Sequence, residues 1–316
     1  MRGCFSRYEA TMSTSKTSCI LNTDNGYALP VVLLISLIIM AISMSMSFVT
    51  RSSLATAYDL KNRSRAMMSA YSAMNEVIYR ISTATFRGNR LQVTTADGTT
   101  QDWTLYGKPF ALAAGVTIRL RDTGGMFSPL SNPRQLARLA AYVSGQNDIT
   151  DQLIDTLSDW QDIDVFKRLN GAEEFDYRSS GAPYVPRNFF LQLPEELMLV
   201  KGYTPAIYRE LKDELVYWGS PSSNYLTMDE KAWRALLRDD DLVEKLAAMR
   251  EQSELTAYNF QELTGIKKTE YQLFSPSGWI QVSIKAEAGE ARDFITAVIL
   301  KKQVLDKPFM IASWKK

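Results

Sequence analysis

The 316-residue chain contains no histidine, and its only cysteines, Cys4 and Cys19, lie close to the N-terminus. Without histidine the chain lacks the usual general base at neutral pH and the commonest metal ligand. Because both cysteines lie near the N-terminus, a disulfide framework or a cysteine-based zinc site is excluded from the rest of the chain. Because no recognisable nucleophile motif is present either, we expect a protein that is not an enzyme.

An excess of charge is also absent, since 36 Lys and Arg residues stand against 35 Asp and Glu residues, a net charge of +1. This balance gives no reason to expect nucleic acid as the partner. The mean hydropathy of −0.17 indicates a folded protein with one apolar stretch, not a multi-span membrane protein. The length suits one large domain or two modest ones.

Charged residues are missing from residues 25–50, a run bounded by Asp24 and Arg51. A helix of this length crosses a hydrocarbon core of about 30 Å. The alternative is a secretory signal peptide, but the apolar region is too long and Ser53-Leu54-Ala55 is a poor cleavage site. The run therefore predicts a membrane anchor that is retained, with its transmembrane half at residues 27–50.

Apolar residues continue beyond the anchor, mostly at spacings of three and four residues; they are Leu54, Tyr58, Met67, Tyr71, Met74 and Ile78. This spacing is typical of an amphipathic helix. No Gly or Pro interrupts residues 31–87. We therefore predict one continuous helix from about Tyr27 to about Ile81, with its first half in lipid and its second half packed on a soluble domain.

The start of this helix, Gly26-Tyr27-Ala28-Leu29-Pro30-Val31, resembles the N-terminus of type IV prepilins and pseudopilins. The resemblance implies a leader at residues 1–26 and cleavage between Gly26 and Tyr27 by a prepilin peptidase. It also implies methylation of the new N-terminal residue. The Lys and Arg residues on the two sides of the run do not decide its orientation, so a cytoplasmic N-terminus rests on the resemblance. The start codon, Met1 or Met12, stays open.

Val31 occupies the fifth mature position, where most subunits of these families carry Glu. In a filament that Glu pairs with the N-terminal amine of a neighbouring subunit, because an unpaired charge in lipid-like surroundings is costly. A subunit without this Glu cannot offer the carboxylate to a neighbour, and it needs none if no subunit lies ahead of it. Among pseudopilins this absence is typical of the K-type minor subunit. An ordinary transmembrane helix, which has no reason to carry Glu, would also have an apolar residue at this position.

Alternating apolar and polar positions predict strands in residues 91–122 and 270–314, with a turn at Ala96-Asp97-Gly98. Helices are expected between them at Pro133–Tyr142, Ile149–Trp160, Pro194–Val200, Pro205–Tyr217 and Met228–Met249. The order of strands, helices and strands predicts an α+β fold in which one antiparallel sheet is interrupted by a large inserted all-α domain. Together with this order, the resemblance to prepilins implies a pilin-like long N-terminal helix packed on that sheet. The expected domains are residues 51–125 and 251–316 for the pilin-like part and residues 126–250 for the insertion.

The helical block carries the more specific resemblance. Its motifs are Asp122-Thr123-Gly124-Gly125-Met126-Phe127, Asp159-Trp160, Gly171-Ala172-Glu173, Pro183-Tyr184 and Gly202-Tyr203-Thr204-Pro205. Their order resembles the K-type minor pseudopilins of the type II secretion system, and with both ends of the chain the resemblance covers most of it. Two segments depart from the family pattern, Ser128-Pro129-Leu130 and residues 222–228.

The resemblance implies a subunit of a Gram-negative inner membrane whose soluble part lies in the periplasm. Such a subunit joins the I-type and J-type minor pseudopilins at the tip of a pseudopilus, promotes assembly for protein export, and contacts the major pseudopilin. We expect the contacts with partners on the amphipathic half of the long helix, where apolar side chains exceed what one sheet covers. The residues are Tyr58, Met67, Met68 and Tyr71.

Acidic residues are concentrated in one stretch of the block, namely Asp159, Asp162, Asp164, Glu173, Glu174 and Asp176. Carboxylates separated by loop residues suit Ca²⁺, which takes six to eight oxygen ligands, although the spacing is not that of an EF-hand. The resemblance favours calcium, because K-type subunits bind it in this domain. Solvated acids at helix ends, with Asp159 and Glu173 holding loop backbone, would give the same pattern. Paired carboxylates of a hydrolase are a weaker alternative.

Residues 197–205 resemble a helix-hairpin-helix element, which elsewhere directs backbone N–H groups at a DNA phosphate. This suggests an alternative function, a membrane-anchored DNA receptor. Residues 126–250 hold 14 Lys and Arg and 20 Asp and Glu, so their net charge is 14 − 20 = −6. A phosphate-binding surface needs the opposite sign, and we therefore expect no nucleic acid as a partner.

Overall fold

The computed structural model describes residues 27–95, 98–217, 219–302 and 307–316. The expected leader, with Gly26 and both cysteines, lies outside these residues, as do Ala96 and Asp97 of the expected turn. The chain divides into two compact units between Tyr58 and Asp59.

Helix α1 runs without a break from Ala28 to Thr83, which confirms the continuous helix predicted from the sequence. The part of α1 in the first unit is apolar, and its side chains from Ala28 to Tyr58 are exposed. Among the described residues, α1 is the one helix long and apolar enough to cross a membrane. This fits a single-pass anchor.

In the second unit, α1 contributes one buried stripe to a core. The buried residues follow helical spacing and are Ala66, Ala70, Ala73, Met74, Val77, Ile78 and Ile81. Three of them are alanines, whose small side chains allow the helix to approach the strands closely. The stripe packs on apolar residues of the strands that follow, including Leu91, Ile118 and Ile284.

The strands form a three-stranded and a five-stranded antiparallel sheet and one short parallel pair. In chain order they are β1 (Thr85–Arg87), β2 (Arg90–Thr94), β3 (Thr100–Thr104), β4 (Phe110–Ala113), β5 (Val116–Asp122), β6 (Ser223–Asn224), β7 (Gln272–Leu273), β8 (Trp279–Ala288), β9 (Ala291–Lys301) and β10 (Phe309–Lys315). The order in the five-stranded sheet is β10-β9-β8-β5-β4.

The helical block is inserted between two neighbours of that sheet. Strands β5 and β8 pair antiparallel, from Val116 opposite Ala286 to Asp122 opposite Ile280. The chain between them forms α2 (Pro133–Ser144), α3 (Thr150–Gln161), α4 (Glu174–Ser179), α5 (Pro205–Leu211), α6 (Glu230–Leu237), α7 (Asp240–Glu251) and α8 (Ala257–Thr264). The observed architecture therefore confirms the predicted fold class.

The block has its own core and extends further than its expected end at residue 250. Leu255, Phe260 and Phe274 are buried in the same apolar cluster as Trp160 and Trp233. The rings of Phe260 and Phe274 lie 5.6 Å apart. Because α8 completes this core, the insertion continues to about residue 274.

Two predicted helices are wrong in extent. Met228–Met249 is two helices, because Arg238 adopts a left-handed φ of 56° and the Asp239 side chain caps the next helix through Leu242 N (3.0 Å). The helix from Pro205 ends at Leu211, because Leu215 forms a parallel bridge to Phe127. Side-chain capping and bridging thus override a continuous apolar pattern.

Asp122 joins the entry, the interior and the exit of the block. Its fully buried carboxylate accepts hydrogen bonds from Gly124 N (3.2 Å), Asn224 Nδ2 (2.7 Å), Thr227 Oγ1 (3.3 Å), and the N–H and hydroxyl of Ser277. Burial raises the pKa of Asp122, and the hydrogen bonds oppose that rise. We call this set of contacts the Asp122 joint. The Gly124-Gly125 pair allows the chain to pack closely at this joint, because a Cβ on Gly125 would lie only 2.5 Å from Thr227 O.

Candidate functional site

Three acidic residues of the helical block converge where α3 ends and α4 begins. Asp162 follows the last turn of α3, Asp164 lies in the loop, and Glu173 immediately precedes α4. A carboxylate oxygen of each lies within 4.8 Å of those of the other two. The loop between the helices therefore brings together carboxylates that are eleven residues apart in sequence (173 − 162 = 11).

Two oxygens of this acidic cluster, Asp162, Asp164 and Glu173, are buried without a hydrogen-bond partner. They are Oδ1 of Asp162 and Oε1 of Glu173, and the Glu173 residue is only 7% exposed. Burial, together with the negative charges of Asp159, Asp162 and Asp164, raises the pKa of Glu173 to about 7. A carboxylate in such surroundings is costly unless a cation or a donor compensates it.

Asp159 lies behind the cluster and is held by Arg168. The carboxylate is fully buried and accepts from the Arg168 guanidinium (2.7 Å) and from Arg168 N. The same guanidinium also bonds to Asp162, and these two carboxylates raise the pKa of Arg168. One positive charge thus faces four nearby carboxylates, counting Asp164 and Glu173, which leaves the site negative.

Gly171 is fitted against the Asp159 carboxylate. A Cβ at this position would lie 1.8 Å from Asp159 Oδ2, a distance that no side chain tolerates. The glycine therefore lets the loop backbone close over the buried acid before the chain reaches Glu173. This gives a physical reason for the Gly171-Ala172-Glu173 segment.

The remaining two candidates lie outside the acidic cluster. Glu174 pairs with Arg178 one turn along α4 (2.6 Å), and both side chains are exposed. Asp176 binds Lys167 Nζ (2.6 Å) and accepts from Glu173 N (3.1 Å), which caps the start of α4. These two acids fit the interpretation as helix-end charges.

Sequence reasoning missed Arg168. The signal was present, since Lys167-Arg168 is a basic pair in the middle of an otherwise acidic stretch. The sequence does not show which acid each basic residue pairs with. In the structure Lys167 forms an ion pair with Asp176, whereas Arg168 forms ion pairs with Asp159 and Asp162.

The expected processing and filament residues lie at the start of the first unit. Gly26 is not among the described residues, and Tyr27 precedes α1 with 66% of its surface exposed. Val31 is on the first turn of α1, where its N–H bonds to Tyr27 O (3.1 Å). Its apolar side chain is exposed along with those around it.

The expected partner-binding residues are exposed. Tyr58 belongs to the first unit, and Met67, Met68 and Tyr71 belong to the second. The Tyr71 ring stacks on the Trp314 ring of β10, with 5.9 Å between centroids. Apolar surface therefore remains on α1 after the sheet has covered its buried stripe.

The hairpin at residues 197–205 is turned towards the core of the block. Val200 and Tyr203 are buried, and Lys201 N donates to the Tyr177 hydroxyl (2.9 Å). The Thr204 side chain caps α5 by accepting from Ile207 N (3.2 Å). Backbone groups that would have to face a DNA phosphate thus serve internal packing.

Comparison with known proteins locates a family within the helical block. Residues 126–218 match the model of the family described as type II secretion system (T2SS), protein K. A relative, the putative type II secretion system protein K of Escherichia coli strain K12, is 29% identical over 124 residues. That match covers 38% of this chain and 36% of the relative, so it spans about a third of the relative's length.

A similar solved structure is a chain in the crystal structure of the GspK-GspI-GspJ complex of the enterotoxigenic Escherichia coli type II secretion system. It is 17% identical, with a TM-score of 0.49. The alignment covers 84% of this chain and 98% of that one.

Proposed function

We propose that the chain is a minor pseudopilin of the type II secretion system protein K family and that it caps the tip of a pseudopilus together with the I-type and J-type minor pseudopilins. The observation that carries this proposal is the helical block, which contains the family match and is inserted between β5 and β8. The joint at Asp122 and the buried ion pair of Arg121 with Glu214 fix the block to the pilin-like part. A block so attached adds bulk that hinders addition of a further subunit.

Val31 supports the same position at the end of a filament. In place of Glu, α1 presents an apolar side chain, so it offers no carboxylate to the amine of a subunit ahead. Such a subunit starts the filament without an unpaired charge in lipid. We propose that it promotes assembly in this way and that the major pseudopilin follows it along α1. The proposed role is therefore mechanical rather than catalytic.

The N-terminal part of α1 supports a single-pass anchor in the inner membrane, with the second unit in the periplasm. We propose that prepilin peptidase cuts between Gly26 and Tyr27 and that the new N-terminus is methylated. Mass spectrometry of protein purified from membranes tests this: a mature chain that begins with methylated Tyr27 supports it. A chain that retains residues 1–26 contradicts it.

The exposed residues Met67, Met68 and Tyr71 support contact with the partner subunits through α1. The test is to mix the purified full chain in detergent micelles with the I-type and J-type subunits and to measure the mass of the eluting species. A ternary complex is expected. If the three proteins elute separately at micromolar concentration, tip capping loses its support.

We also propose that the acidic cluster of Asp162, Asp164 and Glu173 holds Ca²⁺. The fit rests on hard oxygen donors, on two buried oxygens without partners, and on a local excess of negative charge. Three carboxylates do not fill a shell of six to eight oxygens, so backbone carbonyls and water complete it. A bound Ca²⁺ would offset two of these negative charges and hold the loop between α3 and α4 in place.

Titration calorimetry with CaCl₂ tests the metal proposal. The wild-type chain and Glu174→Gln, which changes an acid outside the cluster, are expected to bind with the same affinity. Glu173→Gln is expected to bind more weakly, because it removes a charged donor. Equal affinity of Glu173→Gln and Glu174→Gln would place the metal elsewhere.

A further inference from the structure

The five-stranded sheet ends in an edge that its own chain leaves open. Strand β10 pairs with β9 on one side, and within the described residues no strand pairs with its other side. The opposite edge is β4, which has only four residues, whereas β10 has seven. An open edge presents backbone donors and acceptors that a further strand can use.

Alternation of the ladder identifies which backbone groups face outward. Lys302 N donates to Pro308 O across the β9–β10 pair, so the even-numbered positions near it bond to β9. Phe309 and Ile311 therefore direct their N–H and C=O groups away from β9. A bulge between Ile311 and Ser313 shifts the pattern by one residue, and Trp314 becomes the next outward position.

The side chains at this edge are apolar and partly uncovered. Phe309, Ile311 and Trp314 are 37–42% exposed, although Ile311 and Trp314 lie opposite the fully buried Ile299 and Ala297. Cross-strand partners share a face, so these side chains continue the sheet face that α1 covers further in. Tyr71 of α1 stacks on Trp314 and is itself 41% exposed. The edge thus borders an apolar strip that extends onto the helix.

Charge limits what can occupy this edge. The sequence from Val298 to Lys316 contains five lysines and one acidic residue, Asp306, so its net charge is 5 − 1 = +4. The lysines lie at both ends of β10 and are Lys301, Lys302, Lys307, Lys315 and Lys316. Lys301 is engaged with Ala84 O and Lys316 with Asp293. The positions from Phe309 to Trp314 carry no charge. The complementary occupant is an apolar extended segment with acidic residues at its ends.

We infer that β10 is a docking edge on which a partner subunit of the proposed tip adds an extended, acid-flanked apolar segment as a further antiparallel or parallel strand. Main-chain hydrogen bonds to Phe309, Ile311 and Trp314 supply the pairing, and the apolar strip selects alternate side chains. The inference rests on the proposed function for its choice of partner. It differs from docking through α1 because it uses backbone groups.

The test uses the full chain in detergent micelles with the purified I-type and J-type subunits. Amide hydrogen exchange of β10 is measured before and after complex formation. We expect slower exchange at Phe309, Ile311 and Trp314 in the complex, and no comparable change at the amides that already bond to β9. Affinity is measured in parallel for two substitutions at one position, Ile311→Pro and Ile311→Ala.

Ile311→Pro removes an outward N–H that the sheet does not use, so the free chain should melt at about the same temperature as Ile311→Ala, which also shortens the side chain. We expect Ile311→Pro to weaken the complex about tenfold, which corresponds to ~1.4 kcal/mol, whereas Ile311→Ala keeps the N–H and weakens it less. Lys315→Glu with Lys316→Glu should also weaken it, more at low salt than at high salt.

Three outcomes overturn the inference. If the complex forms but the three amides exchange as in the free chain and Ile311→Pro binds like wild type, the edge is unused while the proposed function stands. If Ile311→Ala weakens binding as much as Ile311→Pro without amide protection, a helix docks on the side chains instead. If the wild-type chain forms no complex at all, the proposed function itself fails and the edge loses its partner.

Discussion

Asp122 and Glu173 are both buried carboxyl groups in the second unit, yet their surroundings are opposite. The Asp122 carboxylate accepts five hydrogen bonds from four residues in three segments of the chain. Glu173 has an oxygen with no partner and stands among other carboxylates. Burial raises the pKa of both groups, but only at Glu173 do neighbouring negative charges add to the rise.

The comparison shows that burial alone does not mark a binding site. The Asp122 joint is complete, because protein donors compensate the cost of burial. The acidic cluster is incomplete, because the chain supplies more acceptors than donors. We therefore propose a ligand-binding role for the cluster and a structural role for the joint, and substitutions at the two places should differ in their dependence on calcium.

The largest effect is expected at Asp122. Asp122→Ala leaves the buried groups of Asn224, Thr227 and Ser277 without their acceptor, so the free energy of unfolding should fall by about 3–5 kcal/mol. Urea denaturation followed by tryptophan fluorescence measures this, and Asp122→Asn, which keeps one acceptor oxygen, should lose less. The loss should be the same with CaCl₂ and with a chelator. A loss below about 1 kcal/mol would show that the joint is not a structural centre.

The second effect is the response of the wild-type chain to calcium. At a free Ca²⁺ concentration one hundred times the dissociation constant, binding should add about 2.7 kcal/mol to the free energy of unfolding. Thermal denaturation with and without chelator measures it, and Glu174→Gln should respond like wild type. Glu173→Gln should respond less. A melting temperature that chelator leaves unchanged in the wild type would contradict the difference between the two places.

The smallest effect is expected for Glu173→Gln in the presence of chelator. Replacing this carboxyl by an amide removes repulsion from Asp162 and Asp164, so the free energy of unfolding should change by less than about 1 kcal/mol or rise slightly. Asp122→Asn under the same conditions should be destabilised. If Glu173→Gln loses as much as Asp122→Asn without calcium, the Glu173 carboxylate is a structural acceptor and the comparison fails.

Much of the fold follows from periodicity. An uninterrupted apolar pattern specified α1, and alternation specified β5, β8 and β9, because these elements bury one face against a common core. The break at Arg238 was not foreseen, since a left-handed residue is set by local capping rather than by pattern. The Asp239-Asp240-Asp241 run contains the capping residue and could have indicated it.

The acidic cluster was predictable only in part. Six acids were named, and the structure brings together Asp162, Asp164 and Glu173, because the α3–α4 loop folds back while Glu174 and Asp176 turn to Arg178 and Lys167. Which acid meets which base depends on the loop path, which sequence spacing does not fix. The open edge at β10 likewise required the strand order, since a sequence pattern does not show which strand lies outermost.

Immunogold electron microscopy of isolated pseudopili tests the central claim, tip capping, most directly. Full-length protein with an epitope on an exposed loop of the helical block is expressed with the other pseudopilins, and labelled filaments are counted. The account predicts gold at one end of each labelled filament and few filaments when the chain is omitted. Gold distributed along the filaments, or normal filament numbers without the chain, would contradict it.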